Sequence, residues 1–285
     1  MGCENVISTD QTVVLLRTLE TLFLKFAQNS RLMKSVIKAY GILLPVYLKR
    51  TTGQREGSNF VNFYITLCEK YSHSGQIDSL RVAVIKSFKL SLKPITDRVQ
   101  DIESFLGLSR VVIRLLQDEI PEIRSKMASF VSRVFKIEED KYQFKFNPNY
   151  ILEVYFKFIV QRYQQWGSGV HQKDQIALNQ FILSYIFESE FDKYAELAHY
   201  EKRIFAVEKP NKFYSDFVIK RIAYEVYLTM LEKKIVSHYD LKTFLDSQKY
   251  KFKEFSERNA DKYLTDVINR NEVINLFWGL FLNRF

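Results

Sequence analysis

The chain has 285 residues, 47% of them hydrophobic, with only 9 glycines and 5 prolines and a formal net charge of +9. This length suffices for a buried core in one or two domains. The shortage of turn residues argues against sheets and long loops and for helices with short connections. Two cysteines, Cys3 and Cys68, make neither a disulfide framework nor a cysteine metal site, and they fit a reduced intracellular compartment.

The opening MGCENVISTD lacks the basic-then-apolar run of a secretory signal. Gly2 is followed by Val6 where a myristoylation pattern wants Ser or Thr. Thr9 and Asp10 suit the cap of a first helix, Gln11 to Ala27, with Val14, Leu15, Leu19, Leu22 and Phe26 on its apolar side. Ser30 opens a second helix that reaches Arg50 unless Pro45 kinks or ends it. Residues 51–58 read as a polar loop, and 59–71 as a third helix buried through Phe60, Phe63, Leu67 and Cys68. A fourth begins near Asp78-Ser79 and ends at Pro94, with a restart at Thr96-Asp97.

Residues 105–135 predict two helices folded back on each other. Phe105, Leu108, Val112 and Leu115 recur at steps of three and four, widened by Val111 and Leu116. A polar corner follows at Asp118-Glu119-Ile120-Pro121, where the proline suits a first helical turn and the acids suit the helix dipole. The next helix buries Ile123, Met127, Phe130, Val131 and Val134.

Alternation of polar and aromatic residues over 141–146 reads as a strand or an extended linker. The linker, 137–148, separates a first domain, 1–136, from a second, 149–285. The second opens with an aromatic helix, 149–165, carrying Tyr150, Val154, Phe158, Val160 and Tyr163, which Trp166-Gly167-Ser168-Gly169 stops. Asp174 caps a helix through Phe187 bearing Ile176, Leu178, Phe181, Ile182, Tyr185 and Ile186. The apolar tail 273–282 is shorter than the ~20 residues of a membrane span and reads as core or as a docking edge.

The corner at 118–128 resembles the HEAT repeat, an antiparallel helix pair that stacks into a solenoid. The family pattern places an Asp at the turn, then a β-branched residue and an Arg, then small residues a turn later. Asp118, Ile123, Arg124 and Ala128 match it, while Met127 stands where a small residue is usual. Leu80-Arg81-Val82-Ala83 echoes the same string, and Arg81 and Arg124 lie 43 positions apart, within the period of roughly 40–47 residues of HEAT and armadillo repeats. The resemblance implies that Asp118 and Arg124 bridge neighbouring repeats, with Arg81 as the earlier counterpart. The fold class expected is all-α, antiparallel helix pairs stacked as a HEAT-like α-solenoid. The other reading is a helical hairpin in a globular bundle.

Residues 203–221, RIFAVEKPNKFYSDFVIKR, read physically as a helix end, a proline-containing turn and a new helix. Ile204, Phe205, Glu208, Asn211 and Asp216 also resemble a segment near the C-terminus of the thyroid-adenoma-associated protein family. Its members are very long helical-repeat proteins, non-catalytic partners of a tRNA ribose methyltransferase that acts on the first anticodon-loop nucleotide. The two matching segments cover about a tenth of the chain, and the family's central domain has no counterpart here. The resemblance implies a non-catalytic, cytoplasmic scaffold with a protein partner of that class, no cofactor and no membrane.

No phosphate-binding glycine loop, C-x-x-C, H-E-x-x-H or nucleophile elbow occurs. The four histidines are scattered in sequence. Basic residues cluster late, and Lys209, Lys212, Lys220 and Arg221 flank Pro210. Cations interleaved with aromatics can grip phosphates and stack bases; diluted by glutamates, they can equally be a solvated face. Three functions compete: a tRNA methyltransferase scaffold that contacts tRNA, an adaptor for proteins only, and an enzyme with a site assembled from distant segments.

Overall fold

The computed structural model describes residues 7–51, 55–73, 75–99, 101–135, 148–166, 172–187, 210–237 and 239–244. Among them every regular element is helical: α1 (Thr9–Phe26), α2 (Ser30–Arg50), α3 (Arg55–Tyr71), α4 (Asp78–Arg98), α5 (Ile102–Leu116), α6 (Pro121–Val134), α7 (Pro148–Gln165), α8 (Gln172–Phe187) and α9 (Pro210–Glu232). No described helix is long and apolar enough to cross a membrane. The chain divides into two compact units, Met1–Met230 and Leu231–Phe285.

Local chemistry sets the helix starts. Ser8 and Gln11 form a reciprocal capping box at α1, one residue before the expected cap. Asn29, rather than Ser30, caps α2 by accepting from the Leu32 N–H. Asp101 caps α5 through the Ser104 N–H, so Thr96 and Asp97 lie inside α4 and start nothing. Pro121 occupies the first turn of α6, as the sequence requires.

Both internal prolines leave their helices unbroken: α2 runs through Pro45 and α4 through Pro94. A proline inside a helix costs about 3 kcal/mol. Buried side chains on the far side offset this, at about 1.5–3 kcal/mol each: Tyr47 and Leu48 beyond Pro45, Ile95 beyond Pro94. Thr96 adds hydrogen bonds from its hydroxyl to the carbonyls of Leu92 and Lys93.

Helices adjacent in sequence pair from α1 to α4 and from α5 to α7, several alternate helices lie side by side, and α8 packs against α5. α2 packs against α1, α3 and most extensively α4; α4 packs against α6; α3 packs against α5; and α5 against α7. α2 and α4 run in the same direction, as do α3 and α5. A Cβ on Gly41 of α2 would stand 2.7 Å from Ser87 Cβ of α4, while Lys34 and Lys38, nearer the start of α2, lie beside 78–86 at the start of α4. Asn62, midway along α3, hydrogen-bonds Ser104 near the start of α5, and Arg114 near the end of α5 reaches Ser72 and the Glu69 carbonyl at the end of α3.

Burial differs from the expected stripes at several helices, most of all at α1 and α7. On α1 the core residues are Leu16 and Phe23, whereas Val14 is 63% and Phe26 47% exposed and Leu15 is also exposed. α1 carries apolar residues around most of its girth, and its neighbours cover only the strip through Thr12, Leu16 and Phe23. On α7 the buried set is Ile151, Leu152, Tyr155, Phe156, Ile159, Val160 and Tyr163, with Tyr150 exposed and Val154 and Phe158 half-buried. Ile176 of α8 is exposed as well. The hairpin α5–α6 buries its expected residues apart from half-buried Val134.

Residues 137–147 of the expected linker lie outside the described residues, and Pro148 begins α7. α7 packs on α5 and α6, so the first unit continues across this stretch. In the second unit, Lys234 adopts φ 54, and Ser237 and Asp240 cap a helical turn at 239–244.

Candidate functional site

The α5–α6 corner is held by a buried ion pair from the preceding helix pair. Arg81, in the first turn of α4, directs one guanidinium nitrogen to both carboxylate oxygens of Asp118 at 2.8 Å. Both side chains are 2% exposed. The other terminal nitrogen of Arg81 bonds Asp78 at 2.7 Å, Glu119 lies 3.8 Å away, and Nε has no hydrogen-bond partner among the described residues. Asp118 also accepts the Ile120 N–H at 2.9 Å, which fixes the corner just before α6. Burial pushes the Asp118 carboxyl above the usual carboxylate range, opposed by the Ile120 N–H and by Arg81.

Arg124 acts elsewhere. It sits in the first turn of α6 as Arg81 does in α4, and donates to the backbone carbonyls of Asp118 and of Glu119, the latter at 3.1 Å. It therefore closes its own corner, while Arg81 supplies the charge that neutralises Asp118. Among the described residues, no carboxylate forms an ion pair with Arg124.

The basic residues proposed for RNA fall partly outside the description. Lys209 lies outside the described residues, and Lys212 and Lys220 are described only as backbone of α9. Arg221 is exposed and its Nε stands 3.8 Å from Glu225. Pro210 opens α9, so Lys212, Lys220 and Arg221 share one helix rather than facing each other across a turn. At roughly 100° per residue, Lys212 and Arg221 stand about half a turn apart around it.

The sequence reading passed over a second basic site. α2 and α4 leave an open groove of about 400 Å³ between them. Lys34 and Lys38 line it from α2, and Lys86, Ser79 and Val82 from α4, with Asp78 at one end. None of the three lysines makes an ion pair with a described carboxylate, and Asp78 is the one acid of the lining. The groove therefore carries a net positive charge. Its sequence signal is the pair Lys34/Lys38 one helical turn apart, which meets Lys86 only when α2 is laid parallel to α4.

Buried hydroxyls elsewhere serve packing. Tyr64 bonds Ser87 and Ser91 at 2.6 and 2.8 Å between α3 and α4, and Tyr227 bonds Asn179 at 3.0 Å between α9 and α8. Burial holds the Cys68 thiol and the Tyr64 phenol well above their ordinary ranges, so neither is a poised nucleophile or base at neutral pH. Among the described residues no three His, Cys, Asp or Glu side chains gather to hold a metal ion. Comparison with protein-family models, curated proteins and solved structures finds no match.

Proposed function

We propose that the chain is a non-catalytic helical scaffold whose helix pairs stack as a HEAT-like solenoid. The supporting observation is a set of bonds between helix pairs at similar sequence separations, beside others at 37 (Arg81 to Asp118) and 66 (Arg162 to Thr96). Tyr71 reaches the Ala27 carbonyl 44 residues back, Ser104 meets Asn62 at 42, Arg114 meets Ser72 at 42 and Glu69 at 45, and Tyr155 meets Ser109 at 46. A helix-pair repeat of roughly 40–47 residues produces such spacing, because each pair presents the same positions to the next. The Arg81–Asp118 pair is then a strut between repeats, in keeping with the HEAT-like corner.

The partner proposed for this scaffold is a tRNA ribose methyltransferase acting on the anticodon loop, as the resemblance at 203–221 implies. Its test is reconstitution: such an enzyme should co-purify with the chain and methylate the first anticodon-loop nucleotide only in its presence. A methyltransferase equally active alone, with no complex formed, would leave the protein-only adaptor and the enzyme with a site assembled from distant segments as the remaining readings.

A further inference from the structure

We infer that the α2–α4 groove is a binding site for the phosphodiester backbone of RNA, gripped by Lys34, Lys38 and Lys86. The inference goes beyond the scaffold reading and stands without the methyltransferase.

Charge comes first. Three lysines line one open groove, and none is paired with a described acid. Like charges one turn apart, as at Lys34 and Lys38, repel in a free helix, and an anion between them and Lys86 relieves that repulsion. The single acid of the lining, Asp78, offsets one of the three lysine charges and leaves the groove net positive.

Shape and composition then select the ligand. The groove is open to solvent, and the four residues from Lys34 to Lys38, about 6 Å of rise, are comparable to the step between phosphates of an extended strand. Ser79 adds a hydroxyl donor, while Val82 contributes an apolar wall. The lining includes no aromatic ring on which a base could stack and no arginine to read a base edge in bidentate fashion. Contacts of this kind position a backbone and carry no sequence information. A lysine groove of this make-up fits repeated phosphates and leaves the bases outside.

The test uses the full chain and unrelated single-stranded RNA oligonucleotides, with affinity followed by fluorescence anisotropy over a range of salt. Wild-type protein should bind sequences indiscriminately, and three single-strand phosphate contacts should contribute a log–log salt slope of about −2. The combined variant Lys34→Glu, Lys38→Glu, Lys86→Glu should bind at least roughly tenfold more weakly at low salt and lose that part of the slope. The matching triple Lys→Arg variant should bind like wild type. Circular dichroism checks that each variant is folded; should the charge reversals unfold it, single Lys→Gln changes should each flatten the slope by about 0.7.

The inference is overturned if wild type binds no RNA at low salt, or if the groove variants bind as wild type does. It is equally overturned if only Lys212→Glu with Arg221→Glu weakens binding. Preference for a glutamate-rich peptide over RNA would assign the groove to an acidic protein instead. Because no methyltransferase is present, these outcomes are independent of the reconstitution test.

Discussion

Arg81 and Asp118 lie 37 residues apart in sequence, yet one guanidinium nitrogen of the first is 2.8 Å from both carboxylate oxygens of the second, with each side chain almost wholly removed from water. The pair joins the start of α4 to the corner before α6. Removing one partner strands the other's charge in the interior. Arg81→Ala should therefore destabilise the protein by about 3–5 kcal/mol, read as a lower urea midpoint. Arg81→Met combined with Asp118→Leu should recover much of that loss, since a well-packed apolar pair needs no desolvated charge. Equal losses in the single and double variants would show that the stranded carboxylate is not the source of the cost.

Arg124→Ala removes two hydrogen bonds to backbone carbonyls but strands no carboxylate. A smaller loss, about 1–3 kcal/mol, is expected. The ranking is the informative part: Arg124→Ala costing as much as Arg81→Ala would place the neutralising role on the wrong arginine.

Gly41→Ala tests the close approach of α2 and α4. In a free helix the change is favourable by about 1 kcal/mol. Here the new methyl carbon would stand 2.9 Å from the Ser87 carbonyl oxygen and 3.0 Å from its Cα, backbone atoms that cannot swing aside. Overpacking of this kind costs about 1–3 kcal/mol, so the net sign should be destabilising. A raised melting temperature in this variant would mean that the two helices separate freely.

Alkaline pH should loosen the core. Burial raises the pKa of the Cys68 thiol and of the Tyr64 and Tyr155 phenols. Their folded-state values exceed the unfolded ones, so the folded chain holds these protons after the unfolded chain has released them. The stability they contribute is complete below the unfolded values and declines as pH rises towards the folded ones. The decline begins near pH 8.5 for the thiol and about 10 for the phenols, approaching about 1.4 kcal/mol per pH unit for each group. Thermal midpoints should thus be level, as far as these groups are concerned, to about pH 8 and fall above it. In Cys68→Ala the onset should move up towards the phenol range; an unchanged onset would remove the thiol from the account.

Much of this molecule is written locally. Proline at 121, the acids beside it and the apolar spacing of 105–116 specify a hairpin whatever surrounds it, because capping and periodicity act within one or two turns. The scarcity of glycine and proline correctly reads as helix, and the 43-residue echo of Arg81 in Arg124 finds the two arginines at matching places in α4 and α6.

Other features depend on neighbours that no local pattern names. α2 continues through Pro45 because Tyr47 and Leu48 are buried beyond it, a tertiary gain larger than the local cost. α1 offers more apolar residues than its neighbours can cover, so packing, not periodicity, chose Leu16 and Phe23 over Val14 and Phe26. Asp118 takes its counter-charge from Arg81 rather than from Arg124 because the preceding helix pair brings that guanidinium into the corner. The Lys34–Lys38–Lys86 groove likewise exists only once α2 and α4 lie parallel. Charge in a sequence states how much there is, and only the packing of helices decides where it converges.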